Sequence, residues 1–178
     1  MKRMLVALAL ALAIMTTATV SNAQRSTGET VDDTTIAVTV KAALADSDDV
    51  SAADVNVEVY KGAVQISGYV PSDEARSAAL KIAGDTDGVN DVHDAMVVMA
   101  GKRSVGRTID DQTIHAQVKL KIAEVSGFGD AVGVVTHVRN GEVILSGFVG
   151  SDTVQKEIVA AAESVNGVAR VHDRLAIK

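Results

Sequence analysis

Gly62-Ala63-Val64-Gln65-Ile66-Ser67-Gly68-Tyr69-Val70 returns as Gly141-Glu142-Val143-Ile144-Leu145-Ser146-Gly147-Phe148-Val149, 79 positions later. Val64, Ile66 and Val70 fall on alternate positions, the period of a strand with one buried face. Lys61-Gly62 and Asn140-Gly141, where the two phrases begin, mark tight hairpin turns, and Asn-Gly is the stronger signal. Ahead of the first turn Val55, Val57 and Val59 alternate and supply the partner strand. Gly68 takes an inward position where a side chain would stand, so the repeated glycine predicts a bulge or the close approach of a helix.

The duplication extends both ways. Val31-Asp32-Asp33-Thr34-Thr35-Ile36 recurs as Ile109-Asp110-Asp111-Gln112-Thr113-Ile114 at an offset of 78, and Gly88-Val89-x-x-Val92-His93-Asp94 as Gly167-Val168-x-x-Val171-His172-Asp173 at 79. The one inserted residue falls near Ser126 to Asp130, in an expected helix-to-strand loop. Gly101 to Arg107 reads as a polar linker, which places the copies at residues 29–100 and 108–178. Each is roughly 70 residues, near the lower limit for a self-supporting core.

Within each copy the order is helix, strand, strand, helix, strand. Ile36, Val40 and Leu44 share a helix face, as do Ile114, Val118 and Ile122. The paired aspartates sit where a helix N-terminus favours negative charge. Ser72 and Ser151 read as N-caps, and Gly88 and Gly167 as left-handed helix-ending residues. Ala75, Ala78, Ala79 and Ile82 make a small-residue face, matched by Val154, Ile158, Ala161, Ala162 and Val165. Val92, Met96 and Val98, with Val171, Leu175 and Ile177, supply the last strands. A strand–helix–strand crossover makes the second and third strands parallel. The expected fold is α+β: two tandem units, each a three-stranded mixed sheet with two helices on one face.

The chain of 178 residues has 23 acidic and 17 basic side chains and a formal net charge of −6. It has no cysteine, which excludes a disulfide scaffold, a zinc-thiolate site, a thiol nucleophile and a thioether lipid anchor. Acidic balance with only two tyrosines, two phenylalanines and no tryptophan argues against nucleic acid as a partner. A hydrophobic fraction of 47% argues against disorder. Lys2-Arg3, the apolar run Met4 to Met15 and the stretch ending Ser21-Asn22-Ala23 have the three parts of a cleavable signal peptide, residues 1–23. The run is shorter than the ~20 residues a spanning helix needs. The expectation is export across the inner membrane, a periplasmic location and, without a cysteine at the cleavage point, no stable lipid anchor.

The order G-x-V-x-I/L-S-G-x-V, an alanine-bearing helix, then G-V-x-x-V-x-D resembles the BON domain (bacterial OsmY and nodulation). Two copies behind a signal peptide are similar to OsmY-like osmotically inducible periplasmic proteins. The likeness spans about residues 29–178. It implies an α-β-β-α-β fold and a role at phospholipid membranes or in envelope and osmotic stress. It implies no catalytic residues and no cofactor. The related dual-domain lipoproteins carry an anchoring cysteine that this chain lacks.

The residues themselves carry little chemistry. His93-Asp94 and His172-Asp173 are adjacent on strands, so each pair points to opposite faces and reads as a polar strand start, not as a base with its orienting carboxylate. His137 and His172 share the outer face of the second sheet, but two histidines without a third ligand do not make a metal site. No enzyme, metal or cofactor is expected.

Charge divides the copies. Residues 29–100 hold 14 acidic and 4 basic side chains, a net of −10, whereas 101–178 hold 9 and 10, a net of +1. Anionic headgroups attract Lys and Arg at ~1 kcal/mol each near the surface. The second copy is therefore the expected contact with an anionic phospholipid surface, through Phe128, Lys119, Lys121, Lys102, Arg103 and Arg107. The alternative partner class is unfolded envelope proteins, held as by a holdase-type chaperone. Tyr69 and Phe148, at equivalent positions on the outer sheet faces, together with Val135 and Ile144, form an interface or ligand face. Packing of one copy's sheet on the other is the expectation there.

Overall fold

The computed structural model describes residues 27–101, 105–131 and 133–178. The expected signal peptide, Lys102 and Arg103 lie outside the described residues, as do the side chains of Arg107 and Phe128. The first copy runs α1 (Thr27–Ala45), β1 (Val55–Tyr60), β2 (Ala63–Val70), α2 (Asp73–Gly84) and β3 (Asp91–Val98). The second runs α3 (Val105–Ala131), β4 (Val134–Arg139), β5 (Glu142–Val149), α4 (Asp152–Glu163) and β6 (Arg170–Ile177). The sheets have the orders β1-β2-β3 and β4-β5-β6, antiparallel in the first pair and parallel in the second. This is the α+β architecture that the periodicity predicts, built twice.

Each copy has its own core. In the first, Ile36, Val40 and Leu44 of α1 and the stripe Ala75, Ala79 and Ala83 of α2 close over Val57, Val64, Ile66, Val70 and Met96. In the second, Ile114, Val118, Ile122, Ile158 and Ala162 close over Val143, Leu145, Val149 and Leu175. Alanine at four-residue spacing brings α2 close to the sheet, which is why so few large side chains suffice. The serine caps hold: Ser72 Oγ accepts from Ala75 N and Ser151 Oγ from Val154 N, both at 3.3 Å. Val98 and Ile177, at the strand ends, stay 37% and 49% exposed and add little to the core.

Four local expectations are corrected. The aspartate pairs are not at helix N-termini, because α1 begins at Thr27 and α3 at Val105. Asp33 and Asp111 turn inward instead and reach the hairpins. Asp33 accepts the backbone N–H of Lys61 and of Gly62, each at 2.9 Å. Asp111 accepts those of Asn140 and Gly141, each at 3.0 Å. Both turn residues have positive φ, 52° and 77° in the first copy and 55° and 77° in the second. That is the type I′ geometry whose twist matches the flanking strands, and it turns two N–H groups toward the helix.

Gly68 and Gly147 answer neither to a bulge nor to a helix. An added Cβ would stand 2.1 Å from Asp54 O and 1.8 Å from Gly133 O, the backbone entering β1 and β4. Gly88 and Gly167 are left-handed, at φ +88° and +92°, but lie beyond the helix ends, whose caps Asp85 and Ser164 are right-handed. Their bareness lets Ile36 and Ile114 approach.

Finally, α3 has 27 residues against 19 in α1. It begins inside the stretch read as linker and runs through Ser126 to Asp130, the stretch read as a loop. In the first copy Asp46-Ser47-Asp48-Asp49 ends the helix. Its carboxylates oppose the negative end of the helix dipole, and Ser47 Oγ accepts from Asp49 N at 3.2 Å. The equivalent Glu124-Val125-Ser126-Gly127 carries one carboxylate, and the helix continues.

Candidate functional site

On α3 the core face is set by Ile114, Val118 and Ile122. Lys119, Leu120 and Lys121 therefore fall outward, and Leu120 is 65% exposed. At about 100° per residue the two lysines flank the leucine on either side. The equivalent residues of α1, 78 positions earlier, are Lys41, Ala42 and Ala43. Lys121 also pairs with Glu124 at 2.7 Å, with both side chains well exposed. Val125, on the next turn, is 46% exposed. The candidate residues Arg107, Lys119, Lys121 and Phe128 do not gather at one point. They are spread along α3, whose first and last of these lie roughly 30 Å apart at 1.5 Å per residue.

The second candidate face is the outer surface of the sheets. There β2 packs on β5, and both central strands are buried on both faces. Tyr69 is 4% exposed and donates its hydroxyl to Glu142 O at 2.7 Å. Phe148 is 7% exposed, with its ring 5.5 Å from that of Tyr60 and 6.1 Å, edge-on, from His93. Ile144 is fully buried and Val135 half-buried. The contact is nearly two-fold: Tyr69 reaches the start of β5, and its counterpart Phe148 reaches the Tyr60 end of the first sheet.

Buried polar groups cross this seam. Gln65 Nε2 donates to Arg174 O at 2.7 Å, while its Oε1 accepts from Gly147 N. Ser67 Oγ lies 3.1 Å from His137 Nε2. Gln65 and Ser67 are 3% and 1% exposed. Sequence reasoning placed Tyr69 on this face and missed these two polar residues. The available signal was Ile144, an isoleucine at the place Gln65 takes in the first copy.

All four histidines line the seam, and none joins a metal cluster among the described residues. His93 and Asp94 diverge as expected. Asp94 pairs with Arg76 of α2, and its counterpart Asp173 accepts from Gln155 of α4 at 2.8 Å. His137 and His172 do share a face, but Ile144 stands between them in the register, so they are about 10 Å apart. His172 bonds Glu142 at 2.6 Å instead. His115 of α3 lies 3.1 Å from Thr136 O. Burial, and secondarily the Lys119 charge, push its imidazole below the ordinary range, against the bond to Thr136. Burial, helped by His115, pushes His137 down to about 4. Both rings line a cleft of about 390 Å³ with Asp54 and Tyr69 of the first copy.

Compared with known families, the BON domain matches residues 32–100 and again 110–178. The chain is 30% identical over 164 residues to Osmotically-inducible protein Y of Escherichia coli (strain K12), covering 89% of this chain and 79% of that protein. It is 32% identical over 158 residues to Outer membrane lipoprotein DolP of Haemophilus influenzae, covering 86% and 79%. A solved C-terminal domain of CdsD, a structural protein of the Type III secretion system of Chlamydia trachomatis, aligns with a TM-score of 0.34 at 13% identity, over 82% of this chain and 67% of that one. A likeness of that size carries no argument.

Proposed function

The chain belongs to the BON domain family, with two copies in tandem, and from that premise we propose a non-catalytic role in envelope stress, outside the inner membrane, in which α3 meets anionic phospholipid. One relative is named for osmotic induction and another for the outer membrane. The observation that carries the lipid reading is Leu120, exposed between Lys119 and Lys121 on the copy with net charge +1. A helix lying on a headgroup layer seats its apolar side chain at the acyl boundary while flanking lysines extend their stems to the phosphates. The first copy, at −10 and with Ala42-Ala43 in the equivalent place, is repelled. Lys102, Arg103, Arg107 and Phe128 belong to this proposal on charge and residue type alone.

Vesicle co-sedimentation tests it. The chain without residues 1–23 is expected to bind phosphatidylglycerol vesicles at low salt, more weakly at high salt, and phosphatidylcholine vesicles hardly at all. Replacing Lys119 and Lys121 by Gln removes about 2 kcal/mol, a loss of roughly 30-fold in affinity. Absence of binding to phosphatidylglycerol at low salt contradicts the proposal. Such a result, together with protection of an unfolded outer-membrane protein from aggregation, favours the holdase reading.

A further inference from the structure

We propose that protonation of His137 releases the two copies from each other, so that under mild acid the chain opens at its seam while each copy stays folded. The inference goes beyond the lipid reading and does not depend on it.

Each copy closes its own apolar core, so docking is a step that folding does not require. His137 sits on the outer face of β4, and the atom facing its Nε2 is the Ser67 hydroxyl of the other copy. Its cover comes from across the seam: Ala53 and Asp54 before β1 and Tyr69 on β2, with Asp111, Gln112 and His115 of α3 alongside. Undocking therefore delivers this ring to water.

The charged and titratable groups around it do little to hold a proton on it. Asp111 is engaged by the N–H groups of Asn140 and Gly141. Asp54, the carboxylate that the first copy contributes to the cleft, is exposed and screened by water. His115, with Lys119 beyond it, adds positive charge on protonation. The other seam histidines differ in this respect. His172 has Glu142 of its own sheet at 2.6 Å, and His93 has Asp91 of its own strand at 3.3 Å, so each has a carboxylate partner within its own copy. The residue equivalent to His137 in the first copy is Glu58, so the device belongs to the second copy alone.

The sign follows from linkage. His137 is held at about 4 when docked and returns to the ordinary 6.5 when open, so the open state binds the extra proton. Docking is then intact above pH 6.5 and weakens as the pH falls toward 4. The ratio of docked to open chains falls about 20-fold between pH 7 and 5, and about 100-fold by pH 4.

The cysteine-free chain makes the test direct. Lys81→Cys on α2 and Lys156→Cys on α4 remove only exposed ion pairs and accept spin labels on opposite sides of the seam. The expected result is one narrow distance distribution at pH 7 and a growing broad component below pH 5, with far-ultraviolet circular dichroism retained. His137→Gln, neutral at every pH, keeps the narrow distribution to pH 4.5. An unchanged distribution in the parent chain, equal broadening in His137→Gln, or broadening only with loss of circular dichroism overturns the proposal. If His137→Gln fails to dock at pH 7, proton NMR of the parent chain decides. A His137 midpoint well below 6.5 supports the proposal, and one at 6.5 or above overturns it.

Discussion

Gly147→Ala is expected to destabilise the second copy by at least about 3 kcal/mol, the largest effect of an added methyl group among the described glycines. The added Cβ would stand 1.8 Å from Gly133 O, a backbone atom that cannot swing aside as a side-chain tip can. Its φ of +112° is strained for any L side chain. Relief requires β4 to separate from β5 at Val134, the residue opposite Gly147 in the register. Gly68→Ala should do the same to the first copy, against Asp54 O at 2.1 Å and with φ +138°. Gly101→Ala is the control: φ is +95° but nothing lies within 4 Å, so only the backbone term of about 1–2 kcal/mol applies. Urea unfolding measures all three. Equal effects of Gly147→Ala and Gly101→Ala would show that the close approach at β4 is not the cause.

Asp111→Ala follows, at roughly 3 kcal/mol. The carboxylate is 3% exposed and accepts two backbone N–H groups that face it across the hairpin. Each charge-assisted bond contributes about 1.5–3 kcal/mol, and water entering the adjoining cleft recovers part of that. Asp111→Asn keeps one acceptor oxygen and should cost about half as much. The same pair of substitutions at Asp33 should act on the Lys61-Gly62 hairpin. Denaturant unfolding, with amide exchange at Gly141 as the local readout, checks the mechanism. Fast exchange confined to that turn marks loss of the clamp, whereas an unchanged Gly141 contradicts it.

These two residues also show where sequence reading succeeds and where it stops. Asn140-Gly141, Ser151 and the alternation of Val64, Ile66 and Val70 speak through local chemistry, a turn, a cap and a strand period, and each was legible in the sequence. The second use of Asp111 was not, because its partners are 29 and 30 residues away. Gly147 announced that something comes close, but not what. Gly127 and Gly129, each costing about 1 kcal/mol in a helix, argued for a loop where α3 in fact continues. Gln65 and Ser67 were missed because the groups they bond lie in the other copy, 70 or more residues distant.

The candidate surface divides in the same way. Lys119 and Lys121 were visible as charge. The exposure of Leu120 between them follows only once Val118 and Ile122 are seen to take the core side of α3. That exposure is what distinguishes a helix that can enter a headgroup layer from a merely solvated basic face.

The most direct measurement places an environment-sensitive fluorophore at Leu120→Cys on α3, and in a second protein at Val38→Cys on α1, both exposed sites in a chain with no other cysteine. With phosphatidylglycerol vesicles at low salt, a blue-shifted and brightened emission is expected at position 120 and none at position 38. A shift at position 38 alone, at both positions, or at neither would contradict the claim that the second copy, through α3, is the membrane-facing half of the chain.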